Sequence, residues 1–242
     1  MQKRRNAAMR KLKIILSGAI FLSACSYLSV AENIPFWRED FSNTEKKNEL
    51  YAPAQWKLDA IKPGVAPTSF YVVKDNDLKS NKLVVEADKA SGGLVCNPSK
   101  EVDLNKTPIL RWRWRVKNLP PGGDGRRPDK DDQAVAIYIG FNDWVRKKSV
   151  SYRYEAETPA GETGQVNYAA GLVNVKWYCL RNKNDATDKW YTEERNVAED
   201  LKKTYGVIPK EFALSVCANS QYTKSHTVAE LDYLEFVPET KK

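Results

Sequence analysis

Arg111, Arg113 and Arg115 alternate with Trp112 and Trp114 in the run 110–116, and the acids Asp131 and Asp132 end the loop that follows it. Strand neighbours point to opposite faces. As a strand, this run would set its three arginines on one side, about 6 to 7 Å apart, and both tryptophans with Val116 on the other. A row of guanidinium forks suits a carboxylated or phosphorylated polymer. The same row also reads as a solvated face whose arginines pair with acids on adjacent strands. An indole face can stack on the C–H face of a sugar ring, but two tryptophans and a valine on one side of a strand more often belong to a core.

The loop 122–132 offers the carboxylates of Asp124, Asp129, Asp131 and Asp132 to a hard cation. It lacks EF-hand spacing and carries three cations, so it reads as a solvated loop at a strand entry. A glycosidase would need two carboxyls about 5 to 9.5 Å apart across a cleft. Adjacent strand residues face opposite ways, so only one of Asp131 and Asp132 could serve, and Glu155 and Glu157 are the nearest partners in sequence. No motif specifies catalysis. No metal or other cofactor is expected, because the chain has no paired-cysteine or Cys/His spacing and its one histidine, His226, excludes a multi-histidine site. Ser-His-Asp and Cys-His catalysis are likewise removed unless His226 is the base. Arg111, Arg113, Arg115, Asp131 and Asp132 are therefore the candidate ligand-binding residues, with no catalytic residue assigned.

The elements that must carry these residues are β-rich. Alternating or apolar runs at 69–73, 82–87, 93–97, 109–116, 133–141, 149–155, 173–180, 211–218 and 227–236 predict strands, separated by polar turns without alternating helices. This spacing points to a sandwich or barrel. One short helix is predicted over 196–206. Asn196 caps it with Glu199 three residues on, Val197, Leu201 and Tyr205 repeat at four-residue steps, and Gly206 ends it.

The N-terminus addresses a compartment. Lys3, Arg4, Arg5, Arg10, Lys11 and Lys13 precede the apolar run 14–24, which has the form of a signal peptide and is too short for a permanent span. Leu22-Ser23-Ala24-Cys25 fits the bacterial lipobox, with Cys25 as the lipidated residue and Ser26 favouring the outer membrane. Ordinary cleavage after Ala31 is the alternative, and it would release a soluble periplasmic protein. Residues 1–24 thus read as signal peptide, 25–35 as a tether, 36–238 as one β-sandwich domain and 239–242 as a polar tail. Removing the leader lowers the formal charge from +8 to +2, so the basic precursor gives no argument for a nucleic-acid partner. With Cys25 lipidated, Cys96, Cys179 and Cys217 remain. The strand-like runs favour a Cys179–Cys217 disulfide, with three buried thiols as the alternative.

Ala87-Asp88, the run 108–116, Asp131-Asp132-Gln133-Ala134 with Tyr138 and Phe141, and Asn196-Val197 with Asp200, Tyr205-Gly206 and Pro209 together resemble the bacterial domain of unknown function 3047 family. The similarity spans roughly residues 36–237. The resemblance implies a secreted or envelope β-sandwich of the galactose-binding jelly-roll kind, without an established activity. Where family members carry an Asp-Ser-Asp-Asn-type segment, this chain reads Ala218-Asn219-Ser220-Gln221-Tyr222-Thr223-Lys224-Ser225-His226.

The expectation is an all-β protein: a single antiparallel β-sandwich of jelly-roll type with one or two short helices, held to the cell envelope by lipid. Its expected role is non-catalytic binding of a polysaccharide or other anionic glycan. The alternatives are a polysaccharide hydrolase or lyase on the same scaffold, or a structural or assembly lipoprotein with a protein partner.

Overall fold

The computed structural model describes residues 37–47, 50–59 and 63–240; Cys25, Ala31 and the leader lie outside the described residues. In chain order the strands are β1 (Trp37–Glu39), β2 (Thr44–Lys47), β3 (Leu50–Pro53), β4 (Lys57–Asp59), β5 (Ser69–Asp75), β6 (Ser80–Asp88), β7 (Ser91–Cys96) and β8 (Ile109–Asn118). They continue as β9 (Gln133–Asp143), β10 (Arg146–Tyr154), β11 (Thr163–Tyr168), β12 (Val173–Arg181) and β13 (Tyr191–Asn196), with β14 (Ala213–Asn219) and β15 (His226–Val237) after the helix α1 (Val197–Tyr205). All nine expected strands are present, with ends shifted by at most three residues.

The strands form two sheets. The first has the order β13-β8-β15-β6-β5-β3-β2, with β1 also on β15; the second has the order β11-β12-β10-β9-β14-β7-β4. The two sheets form the expected antiparallel sandwich, and among the described strand pairs only β10 and β12 run parallel. The chain leaves β10 and runs back along the sheet edge as β11. It then turns through Ala169, Ala170 and Gly171, all at positive φ, so that β12 slots between β11 and β10.

The core is built by the strand alternation of β8 against β10. Trp112 and Trp114 are fully buried, as are Tyr152 and Tyr154 on the facing sheet. Trp112 stacks on Tyr152 at 5.4 Å between centroids, and Trp114 meets Tyr154 at 5.9 Å. Truncating either indole to alanine would cost about 3–5 kcal/mol. The Asn196 side chain accepts the Glu199 N–H at 3.0 Å and Gly206, at φ 75°, ends α1. Tyr205 donates to the Ser149 carbonyl at 2.9 Å, which fixes the helix against the second sheet.

The expected Cys179–Cys217 disulfide is not formed: Cys96, Cys179 and Cys217 are all free thiols. Cys179 lies on β12 and Cys217 on β14, with β10 and β9 between them. Three strand spacings of about 4.8 Å exceed the reach of a disulfide twofold. Burial pushes the Cys179 and Cys217 thiols up to about 12, so both stay protonated.

Candidate ligand-binding cleft

The outer face of the second sheet is a cleft of about 900 Å³. Register explains its floor. Gly140 on β9 lies opposite Ser149 on β10 and Ala213 on β14, and Tyr138 lies opposite Ser151 and Ser215. Residues directly opposite share a face, so these rows put small side chains on one surface and leave room above them. The lining runs from Tyr168 on β11 to Asp59 on β4, the two edge strands. Six strand spacings make this roughly 29 Å. Tyr138, Tyr168 and Tyr222 supply aromatic walls, and Asn97, Gln133, Asn142, Asn219 and Gln221 supply amides; Phe141 turns to the other face of β9 and packs edge-on against Tyr205 at 5.8 Å. Gln133 is buried at the wall and its Oε1 has no hydrogen-bond partner.

Beneath one part of the cleft lies a charged node. Arg153, fully buried, donates from Nη1 to Asp131 Oδ1 at 2.8 Å and to Glu155 Oε1 at 3.2 Å, from Nη2 to the Tyr138 hydroxyl at 3.3 Å, and from Nε to Ser151 Oγ at 3.3 Å. Its guanidinium also lies 5.6 Å from the Trp177 ring centre. The Tyr168 hydroxyl donates to Asp131, and the Thr158 hydroxyl to Glu155. Burial works against the Arg153 charge, but Tyr138, Asp131 and Glu155 hold its pKa above the ordinary value. Burial raises the Tyr138 and Tyr168 phenols as well, so both rings face the cleft as protonated hydroxyls with fixed orientation. The loop 122–132 serves this node. The Gly125 N–H donates to Glu155 Oε2 at 2.8 Å, and a Cβ at Gly125 would stand 2.5 Å from Glu155 Oε1, so only glycine allows this approach.

Asp131 and Asp132, at the entry to β9, go to different partners. Asp131 lines the cleft, locked by Arg153 and Tyr168. Asp132 is fully buried and accepts the N–H groups of Tyr222 at 3.2 Å and Thr223 at 2.6 Å. It therefore positions the segment 219–225, in which Asn219, Gln221 and Tyr222 form part of the cleft wall. The segment 218–226 thus contributes a wall of the cleft. Asp124 is held by Arg126 at 2.7 Å, and Asp129 by Arg127 at 2.9 Å. Glu155 is buried in the node, whereas Glu157 pairs with Lys183. His226 pairs with Glu86 at 2.8 Å.

Arg111, Arg113 and Arg115 stand on the other sheet, away from the cleft. Arg111 pairs with Glu194 at 2.8 Å and Glu235 at 3.1 Å, and Arg113 with Asp232 at 3.1 Å. Arg115 contacts Glu230, Asp188 at 3.4 Å and Asp75 at 3.6 Å. The Trp190 ring lies beneath Arg113 and Arg115, at 5.2 and 4.6 Å. With Arg38, Lys82 and Lys117, six cations of this face share six carboxylates.

Sequence reasoning missed Arg153, Tyr168 and the 219–222 wall. A charged residue inside the apolar run Val150-Ser151-Tyr152-Arg153-Tyr154, followed at once by Glu155, was the available signal.

No curated protein matches the sequence. Among solved structures, the family 11 carbohydrate-binding module of the Clostridium thermocellum cellulosomal cellulase Lic26A-Cel5E aligns over 85% of this chain and 97% of its own, at 9% identity and a TM-score of 0.43. The CBM22-1 xylan-binding domain of Paenibacillus barcinonensis Xyn10C aligns over 85% and 95%, at 10% identity and a TM-score of 0.39. These are likenesses of strand architecture alone. Residues 54–235 match the family described as "Protein of unknown function (DUF3047)", and the chain belongs to that family.

Proposed function

We propose that this protein is a glycan-binding module whose ligand, an uncharged polysaccharide segment, lies in the cleft across the second sheet. The observation that carries the reading is the lining itself, an edge-to-edge groove with aromatic rings and amide side chains over a floor of small residues. Sugar rings present apolar C–H faces to aromatic side chains and hydroxyls to amides and phenols. The arginine face of the first sheet matches its cations with carboxylates and offers a polyanion little net charge, which is why the ligand is assigned to the cleft. Binding without hydrolysis is the reading the node supports, since Asp131 and Glu155 are both held by Arg153 instead of facing one another across open space. Lipid attachment at Cys25, with the domain held at the outer membrane, completes the proposal and rests on the lipobox sequence.

The experiment is electrophoresis through gels cast with individual neutral and anionic polysaccharides. Retardation by a neutral polymer is expected. It should be lost in Tyr222→Ala and kept in the triple variant Arg111→Ala, Arg113→Ala, Arg115→Ala. Retardation only by anionic polymers, abolished in the arginine variant, would move the site to the other sheet.

A further inference from the structure

We infer that the hairpin tip between β9 and β10 is a docking point for an anionic lipid surface. Asp143 pairs with Arg146, so Trp144 and Val145 form a two-residue loop. Such loops favour glycine or asparagine at left-handed positions, yet Trp144 itself takes φ 56°. A bulky side chain there is a conformational outlier. Trp144 is 97% exposed and Val145 80%. Leu172, 50% exposed, sits in the adjoining turn between β11 and β12, and its carbonyl accepts the Lys147 N–H at 2.8 Å. Three of the seven large apolar side chains exposed among the described residues thus gather at one end of the sheet.

Arg146 and Lys147 follow directly, both exposed, and neither has an ion-pair partner among the described residues; Asp143 is taken by Lys148 at 2.6 Å. Strain and exposure coincide at Trp144, a combination that persists where it serves function. Tryptophan settles at the headgroup level of a bilayer, small apolar neighbours enter beside it, and unpaired cations are drawn to anionic lipid. Apolar tip and adjacent unpaired cations together are complementary to that surface.

The test uses the intact chain on phosphatidylcholine vesicles with and without phosphatidylglycerol, their acyl chains brominated. Emission of Trp144 is isolated as the difference between the wild type and Trp144→Phe. The leader contains no tryptophan and adds no emission of its own, and the Arg146/Lys147 variant, which keeps the leader, separates its attachment to lipid from docking of the tip. A blue shift and quenching on phosphatidylglycerol vesicles are expected, with quenching reduced several-fold in the double variant Arg146→Ser, Lys147→Ser. Absence of quenching, or equal quenching on vesicles lacking phosphatidylglycerol, overturns the inference. So does a change produced by soluble polysaccharide alone, which would make Trp144 an extension of the cleft.

Discussion

Arg153 holds together groups that could not be buried separately. Its guanidinium compensates Asp131 and Glu155, and through Tyr138 and Asp131 it orients two of the rings that line the cleft. Replacing it with methionine keeps the volume of the stem but leaves two interior carboxylates without their partner. Arg153→Met should therefore lose about 3–5 kcal/mol of unfolding free energy in a urea titration. A loss below about 1 kcal/mol would mean that the node contributes little to folding. Two other acids report through pH. The hydrogen bond from Lys82 lowers Asp75 to about 2, and that from Arg126 lowers Asp124 to about 2. A carboxyl whose folded pKa is depressed contributes stability above its unfolded value, near 4, and loses it as pH falls through the folded value. In thermal unfolding, wild type should exceed Asp124→Asn at pH 6, and the gap should close between pH 4 and pH 2. A gap that is constant with pH would show that the Asp124 charge is not what stabilises the loop.

Strands were legible in proportion to how strongly their two faces differ. The alternation of β8 identifies its tryptophan face as core, and both indoles are fully buried. The same alternation shows that the arginines share the other face, but the partners that neutralise them come from β5, β13 and β15, which the local pattern cannot reveal. The strands that escaped notice are short or lie on sheet edges. All three residues of β4 are exposed, and β11 exposes every second residue at the end of its sheet. The parallel pairing of β10 with β12 depends on a turn through three left-handed residues, two of them alanines, a geometry that local composition does not announce. Strand order decided the disulfide in the same way, since two strand-like runs containing cysteine can still lie three strand spacings apart.

At the scale of the molecule, the cleft was the least legible feature because its floor is a collection of ordinary small residues. Gly140, Ser149 and Ala213 are unremarkable in sequence and become a surface only when β9, β10 and β14 lie side by side. Of the residues singled out for ligand binding, Asp131 lines this cleft, Asp132 supports its wall through Tyr222 and Thr223, and the three arginines lie on the opposite sheet. A groove that crosses the sheet from edge to edge, roughly 29 Å, holds several sugar rings in a row, so chain length should be read directly as affinity. The most direct measurement is calorimetric titration of the wild type and Tyr222→Ala with a neutral oligosaccharide series of increasing length. The expected result is weak or absent monosaccharide binding, affinity that rises with each added ring until the groove is filled, and at least a tenfold loss in Tyr222→Ala. Affinity independent of chain length, or unchanged in Tyr222→Ala, would contradict a glycan bound along the cleft.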